Sequence, residues 1–316
     1  MQEEYRKKLQ EQALDFLVGQ GNVPDVVINR LKGIRNLSKQ EAINLLNHFA
    51  DLEKDTKILH YIVQEIGRYR DKSSLGVLID LLTGYKEKKN EYLKVRCTVA
   101  GLLGNFRDES AILPLMYIMN DREEDYRLRL AAAESLGKIG SNKAVSPLIK
   151  IVSDDEEKSV YLKESATKAL GMIGDEDAVE PLINMLDMQK DLVDKFTYLK
   201  EKIVEVLGKL NFKKDKRIEA LRKVLCDRSP HVRASALEAL SETGEERVIE
   251  YIEPLLRDDN ESVAKTAVFA VYNLMGREYL EEMLAREDLP PVCREEIEEI
   301  LEEEDDEEEF EDDKEE

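Results

Sequence analysis

Tyr126-Arg127-Leu128-Arg129-Leu130-Ala131-Ala132-Ala133-Glu134-Ser135-Leu136-Gly137, followed by Gly140 and then by Ala144-Val145-Ser146-Pro147-Leu148-Ile149, is one complete structural phrase. Leu128, Ala132, Ser135 and Leu136 recur at spacings of three and four, the stripe of an amphipathic helix. Gly137 falls inside that stripe, where glycine costs about 1 kcal/mol relative to alanine. Its presence there predicts close approach by the backbone of a neighbouring helix. Gly140 comes just past the stripe, where a left-handed conformation closes a helix and a residue without Cβ adopts it freely. Pro147 stands near the start of a second helix, where its missing N–H does least damage. The phrase reads helix, tight turn, helix.

The phrase echoes along the chain. Leu170-Gly171 with Gly174 and Leu240-Ser241 with Gly244 repeat it closely; Ile66-Gly67, Leu103-Gly104, Leu207-Gly208 and Val271-Tyr272 are weaker copies. The anchors at 67, 104, 137, 171, 208, 241 and 272 are 37, 33, 34, 37, 33 and 31 residues apart, which is one helix pair per step. Ala111-Ile112-Leu113-Pro114-Leu115-Met116 and Ala178-Val179-Glu180-Pro181-Leu182-Ile183 repeat the start of the second helix. In the fifth copy Asn211 takes the place of the closing glycine. Pro254 lies three positions later than its counterparts, which predicts a kink or a late start in the sixth second helix. The expected fold is all-α: an α-solenoid, a right-handed superhelix of helix pairs. It is expected to form one continuous domain, because each unit buries its apolar face only against neighbours.

Seven repeats are expected over residues 55–286. Residues 1–54 read as an N-terminal helical cap or degenerate repeat, with helices over 5–18, 24–34 and 38–51. There Ser38-Lys39-Gln40-Glu41 forms a capping box before the stripe Ile43, Leu46, Phe49. A cap is needed because the first repeat would otherwise expose its core face to water. Residues 287–301 read as a C-terminal capping helix opened by Pro290-Pro291. Residues 302–316, whose single apolar residue is Phe310, read as an acidic tail that cannot repay its ordering entropy and is expected to be disordered.

The net charge of −22 over 316 residues is concentrated at one end. Residues 302–316 hold 13 acidic residues and one lysine, which leaves −10 for the other 301. The repeat body is therefore mildly acidic, not a basic surface for nucleic acid. No apolar run is long enough to span a bilayer, and the start Met1-Gln2-Glu3-Glu4-Tyr5 lacks the basic-then-apolar order of a secretory signal. A cytoplasmic protein without membrane contact is expected. Cys97, Cys226 and Cys293 are scattered and form no CxxC, so they are expected as buried or half-buried reduced thiols.

These residues resemble the HEAT-like repeats, especially the short variety first noted in phycobiliprotein lyases. The shared pattern is an Asp-rich joint, Val or Leu before Arg or Lys, small residues, Leu-Gly, then Gly-Asp and Ala-Val-x-Pro-Leu-Ile. The sixth copy carries Asp227, Val232-Arg233, Ala234, Ala236 and Leu240, while Arg96, Arg129, Lys163 and Lys200 occupy the basic position in other copies. The resemblance covers roughly residues 55–286 and specifies the fold; such repeats serve enzymes, lyases, nucleic-acid proteins and scaffolds alike. The basic column is expected to bridge joint carboxylates and neighbouring carbonyls as a ladder.

The enzyme branches of that family need residues that can be searched for. A branch resembling deoxyhypusine hydroxylase holds di-iron with paired His-Glu dipeptides, but His48, His60 and His231 precede Phe49, Tyr61 and Val232, and imidazole and carboxylate are needed together. A branch resembling alkylpurine DNA glycosylases uses a basic, aromatic face; tryptophan is absent here and the corresponding row mixes signs. Neither a phosphate-cradling glycine loop nor a GxSxG elbow occurs. No catalytic, cofactor-binding or metal-ligating residue is assigned and no cofactor is expected.

The function expected is a non-enzymatic protein-binding scaffold or adaptor. Its concave face is formed by the row two positions after the core leucine-type residue of successive second helices: Asp80, Tyr117, Lys150, Asn184 and Lys223. The partner is a protein, basic where the acidic tail assists its capture. The alternative is a lyase-like or oxygenase-like enzyme or enzyme subunit of the phycobilin lyase type, with nucleic-acid binding a distant third. The long joints at Thr83–Asn90 and from Asp187 onward read as solvated loops or, alternatively, docking loops on the rim.

Overall fold

The structure is a computed structural model that describes residues 23–84, 90–154, 156–188 and 197–315, with side chains for all of these except Met188 and residues 304–315. The expected helix over 5–18 and the centres of both long joints, 85–89 and 189–196, lie outside the described residues. Every regular element among the described residues is helical, with no strand. Helices α1 (Pro24–Leu31) and α2 (Lys39–Leu52) come first. The first helices of the repeats are α3 (Thr56–Tyr69), α5 (Leu93–Phe106), α7 (Tyr126–Ile139), α9 (Val160–Ile173), α11 (Thr197–Lys209), α13 (Pro230–Ser241) and α15 (Glu261–Met275). The second helices are α4 (Leu75–Thr83), α6 (Ile112–Asn120), α8 (Val145–Val152), α10 (Val179–Met188), α12 (Lys214–Val224), α14 (Ile249–Ile252) and α16 (Arg277–Leu284). Helix α17 (Pro291–Glu315) ends the chain. This is an all-α, solenoid-type succession of helix pairs. Where one continuous domain is expected from the sequence, the chain divides into two compact units, one through Ile173 and one from Gly174.

In the first unit α3, α5, α7 and α9 lie side by side in series. The in-stripe glycines explain how closely. A Cβ on Gly104 would lie 2.8 Å from the Cα of Ser135, one on Gly137 2.7 Å from the Cα of Ala169, and one on Gly67 2.5 Å from a Leu102 methyl carbon. Ser135, fully buried, donates its hydroxyl to the Ala100 carbonyl across the same contact at 2.7 Å. The capping box forms as expected, with the Ser38 Oγ accepting from the Glu41 N–H and the Glu41 carboxylate from the Ser38 N–H. Each full second helix of this unit is entered through a short 3-10 turn. Asp71 and Asp108 open two of them, accepting from the N–H of Ser73 and Ser110.

In the second unit α11, α13 and α15 repeat the series, and a Cβ on Gly208 would meet Ala239 at 2.8 Å. Pro254 interrupts the sixth second helix, not by the late start that was one of the two expectations but by a change of helix type: α14 begins in register at Ile249 and stops at Ile252, and a 3-10 segment, Glu253–Arg257, follows. Helix α17 packs on α15 and α16 and buries Cys293 and Ile297.

Three local expectations are corrected. Gly140, Gly174 and Gly244 do have positive φ, but in the fifth copy the left-handed residue is Lys213 (φ 48°), not Asn211, because the turn closes by capping the start of α12. Cys226 is exposed, since its joint faces water, whereas Cys97 is half-buried and Cys293 buried. Helix α17 runs to Glu315, past Leu301, where the polar composition predicts disorder.

Candidate functional site

The second helices carry the candidate row. In the first unit Leu78, Leu115 and Leu148 are fully buried, and two residues on Asp80 (α4), Tyr117 (α6) and Lys150 (α8) are all exposed. A two-residue step turns a helix by about 200°, so a buried leucine dictates an outward neighbour. Helix α6 lies beside both α4 and α8, which brings the three side chains onto adjoining helices. Asp51, on α2, faces Asp80; its own burial, and then the Asp80 charge, hold its carboxyl above the usual carboxylate range. In the second unit Leu182 and Leu221 are buried while Asn184 (α10) and Lys223 (α12) are exposed, on helices that touch. The Lys223 Nζ lies 3.8 Å from Asp187 Oδ1. Pro254, at the same register in the next repeat, is exposed in its 3-10 turn and offers no polar side chain.

The row contains an apolar spot that was not singled out beforehand. Leu113 is 74% exposed and Tyr117 52% exposed, one turn apart on α6. With Met116, Asn120 and Asp121 they line an open depression of about 540 Å³. The signal was available: Leu113 and Tyr117 are four apart, whereas the buried face of α6 is held by Ile112, Leu115, Ile118 and Met119.

The basic column does what the ladder reading expects. Arg96, with no exposed surface, donates from Nε to the Leu82 carbonyl at 2.8 Å and from its two terminal nitrogens to the Glu124 carboxylate at 3.0 and 2.8 Å. Arg129 bonds the Met119 carbonyl at 2.9 Å and Glu157 at 2.6 Å. Lys163 is buried as well. In the second unit Lys200 pairs with Asp227, and Arg233 grips Asp258 at 2.5 and 2.7 Å while donating to the Asp227 carbonyl. The Arg233 hydrogen bonds hold the Asp258 carboxyl below its ordinary range. These donors are spent on the chain's own joints, so the column ties consecutive repeats together.

The histidines stay apart. His60 Nε2 lies 3.1 Å from Thr98 Oγ1, and burial lowers its pKa; His48 is half-buried with Nε2 unpaired, and His231 is exposed. Among the described residues no group of three or more His, Cys, Asp or Glu side chains is arranged to hold a metal ion, and no helix is long and apolar enough to cross a membrane.

A family model described as HEAT repeats matches residues 86–160 and 189–272, and one described as PBS lyase HEAT-like repeat matches residues 162–188. No curated protein matches the sequence. Among solved structures, Kap121p bound to Pho4p is similar with a TM-score of 0.52 and 11% identity, over 88% of this chain and 39% of that chain. The complex of CpcE and CpcF of phycocyanin lyase from Nostoc sp. gives a TM-score of 0.43 and 20% identity, over 89% of this chain and 96% of that chain. Human deoxyhypusine hydroxylase in complex with glycerol gives 0.36 and 17%, over 85% and 96%.

Proposed function

The chain belongs to the HEAT-repeat family, and from that premise we propose that it is a protein-binding scaffold. The second helices of the first unit hold a partner segment through Asp80, Tyr117 and Lys150, and those of the second unit offer a row of their own, Asn184 and Lys223. The observation that carries this reading is the Leu113–Tyr117 pair. Single exposed apolar side chains are ordinary, but an aromatic and an aliphatic one side by side around a depression make the kind of anchor on which interface energy concentrates. Asp80 and Lys150 flank Tyr117 on neighbouring helices with opposite charges, which orients a bound segment more than it tightens it. Kap121p, whose fold this chain shares, is itself seen bound to another protein. The acidic run from Glu302 adds attraction for a basic segment over about 8–10 Å at physiological salt.

Affinity capture from the source organism tests the proposal, comparing the intact chain, a Leu113→Asp/Tyr117→Ala variant and a chain ending at Leu301. The intact chain is expected to retain a stoichiometric protein partner that the double variant loses. The shortened chain is expected to retain it less well at low salt only. Equal retention of every partner by the double variant would overturn the assignment of the row.

A further inference from the structure

A second concavity lies on the first helices of the first unit, a cleft of about 580 Å³ lined from α3, α5 and the 3-10 turn at Lys32–Asn36. Its chemistry differs from that of the chain around it. Arg35 donates from Nε and one terminal nitrogen to the Glu65 carboxylate at 3.0 and 2.5 Å, and Arg68 Nε stands 3.2 Å from the same group. Glu65 is only 4% exposed, so one buried carboxylate pairs with two guanidinium groups. Arg70, in left-handed conformation (φ 47°) at the end of α3, lines the same cleft. No other carboxylate among the described residues pairs with these three arginines. Three guanidinium groups against one carboxylate leave two positive charges uncompensated, in a protein whose net charge is −22. The Tyr61 phenol oxygen is buried beside Glu65. Burial, and then Glu65, push its pKa up, so it keeps its proton. The amides of Gln64 and Asn105 line the cleft too.

We propose that this cleft binds a phosphomonoester dianion. Such a group carries a charge near −2 above its second pKa of about 6 and offers three acceptor oxygens, which matches both the charge surplus and the fork-shaped donors of arginine. A carboxylate would bring half that charge. The volume is within the range of small-ligand sites, about 300–1,000 Å³. Because the cleft is built on first helices and the docking row on second helices, the two proposals stand or fall separately.

Calorimetric titration of the full chain with inorganic phosphate, phenyl phosphate, a phosphoserine peptide and its unphosphorylated form, at fixed ionic strength, tests it. The phosphorylated probes are expected to bind and the unphosphorylated peptide to stay silent. Affinity should fall as pH drops through about 6, where the phosphate takes up a proton. Preference for phenyl phosphate or phosphate assigns a small-molecule source, and preference for the phosphopeptide a protein-borne one. Arg68→Gln and Arg70→Asn, singly and together, keep the Arg35–Glu65 pair, and asparagine tolerates the left-handed backbone. The double variant should bind at least about tenfold more weakly with an unchanged melting temperature of the free protein. Absence of binding by every phosphorylated probe up to about 10 mM, where a site with Kd in the usual small-ligand range would be filled, overturns the proposal. So does equal affinity in the double variant.

Discussion

Alanine at Gly104 or Gly137 would set a methyl group against backbone atoms of the next first helix, Ser135 or Ala169, which cannot swing aside as a side-chain tip can. Each substitution is expected to cost about 1–3 kcal/mol by overpacking, although alanine is the better helix former. Gly101, on the same helix as Gly104, has nothing within 4 Å of its would-be Cβ. Alanine there should instead gain about 0.5–1 kcal/mol, and urea unfolding of the three variants separates the two effects. This contact was readable from one sequence because a glycine that interrupts the apolar stripe in five of the seven repeats has a cost that only tight packing offsets. The positive φ of Arg70, Arg107 and Lys213 was not readable. Those turns are held by the elements on either side, and an arginine or lysine there leaves no compositional trace. Asp108 supplies a pH test. Hydrogen bonds from Lys72, then from the Ser110 hydroxyl and N–H, lower its carboxyl pKa from the ordinary 3.8 to about 2. A depressed carboxyl stabilises the fold above the unfolded value and loses that contribution as pH falls through the folded one. Stability measured from pH 5 downward should decline between about 4 and 2, and Asp108→Asn should flatten that part of the curve.

Helix ends were legible wherever a side chain itself makes the cap. The Ser38–Glu41 box was foreseen from residue types three apart and is formed. Ser38→Ala is expected to cost about 0.5–2 kcal/mol, seen as earlier denaturant unfolding, with Ser38→Thr close to neutral. Pro254 likewise announced the break after Ile252, since a ring without an N–H cannot continue the ladder of α14. Helix α17 shows the opposite case. Its composition after Leu301 suggested disorder, because burial is the usual source of helix stability and closely spaced like charges oppose a helix, yet α17 runs to Glu315. The candidate row was legible as a register, two residues beyond each buried leucine. The arginine cleft was not, because Arg35 joins it from outside the repeat pattern, 30 residues before Glu65.

At the scale of the molecule, repeat architecture makes energetics local. Each helix pair depends on its immediate neighbours, through the apolar seam, the buried basic ladder and exposed pairs such as Lys72–Asp108 in the first unit and Lys214–Glu245 in the second. Exposed pairs of this kind contribute about 0–1 kcal/mol each, so the seam and ladder dominate. Gly208→Ala, which crowds Ala239, should therefore speed amide hydrogen exchange in α11 and α13 more than in α16 and α17 of the same unit. Uniform acceleration through all four helices would show that the unit opens as one body. The fold class followed from the period of the repeat. The division at Ile173 did not, because no residue type marks it.

Cys226 stands in the open while Cys97 is half-covered and Cys293 is sealed beside the Leu256 carbonyl, 3.2 Å from its Sγ. Burial also pushes the Cys97 and Cys293 thiols up in pKa, and alkylating reagents follow thiolate and access. A maleimide fluorophore added at low stoichiometry to the unmodified protein will thus settle on one address, three residues from Lys223. The native chain carries its own attachment point for an optical reporter of what arrives at α12.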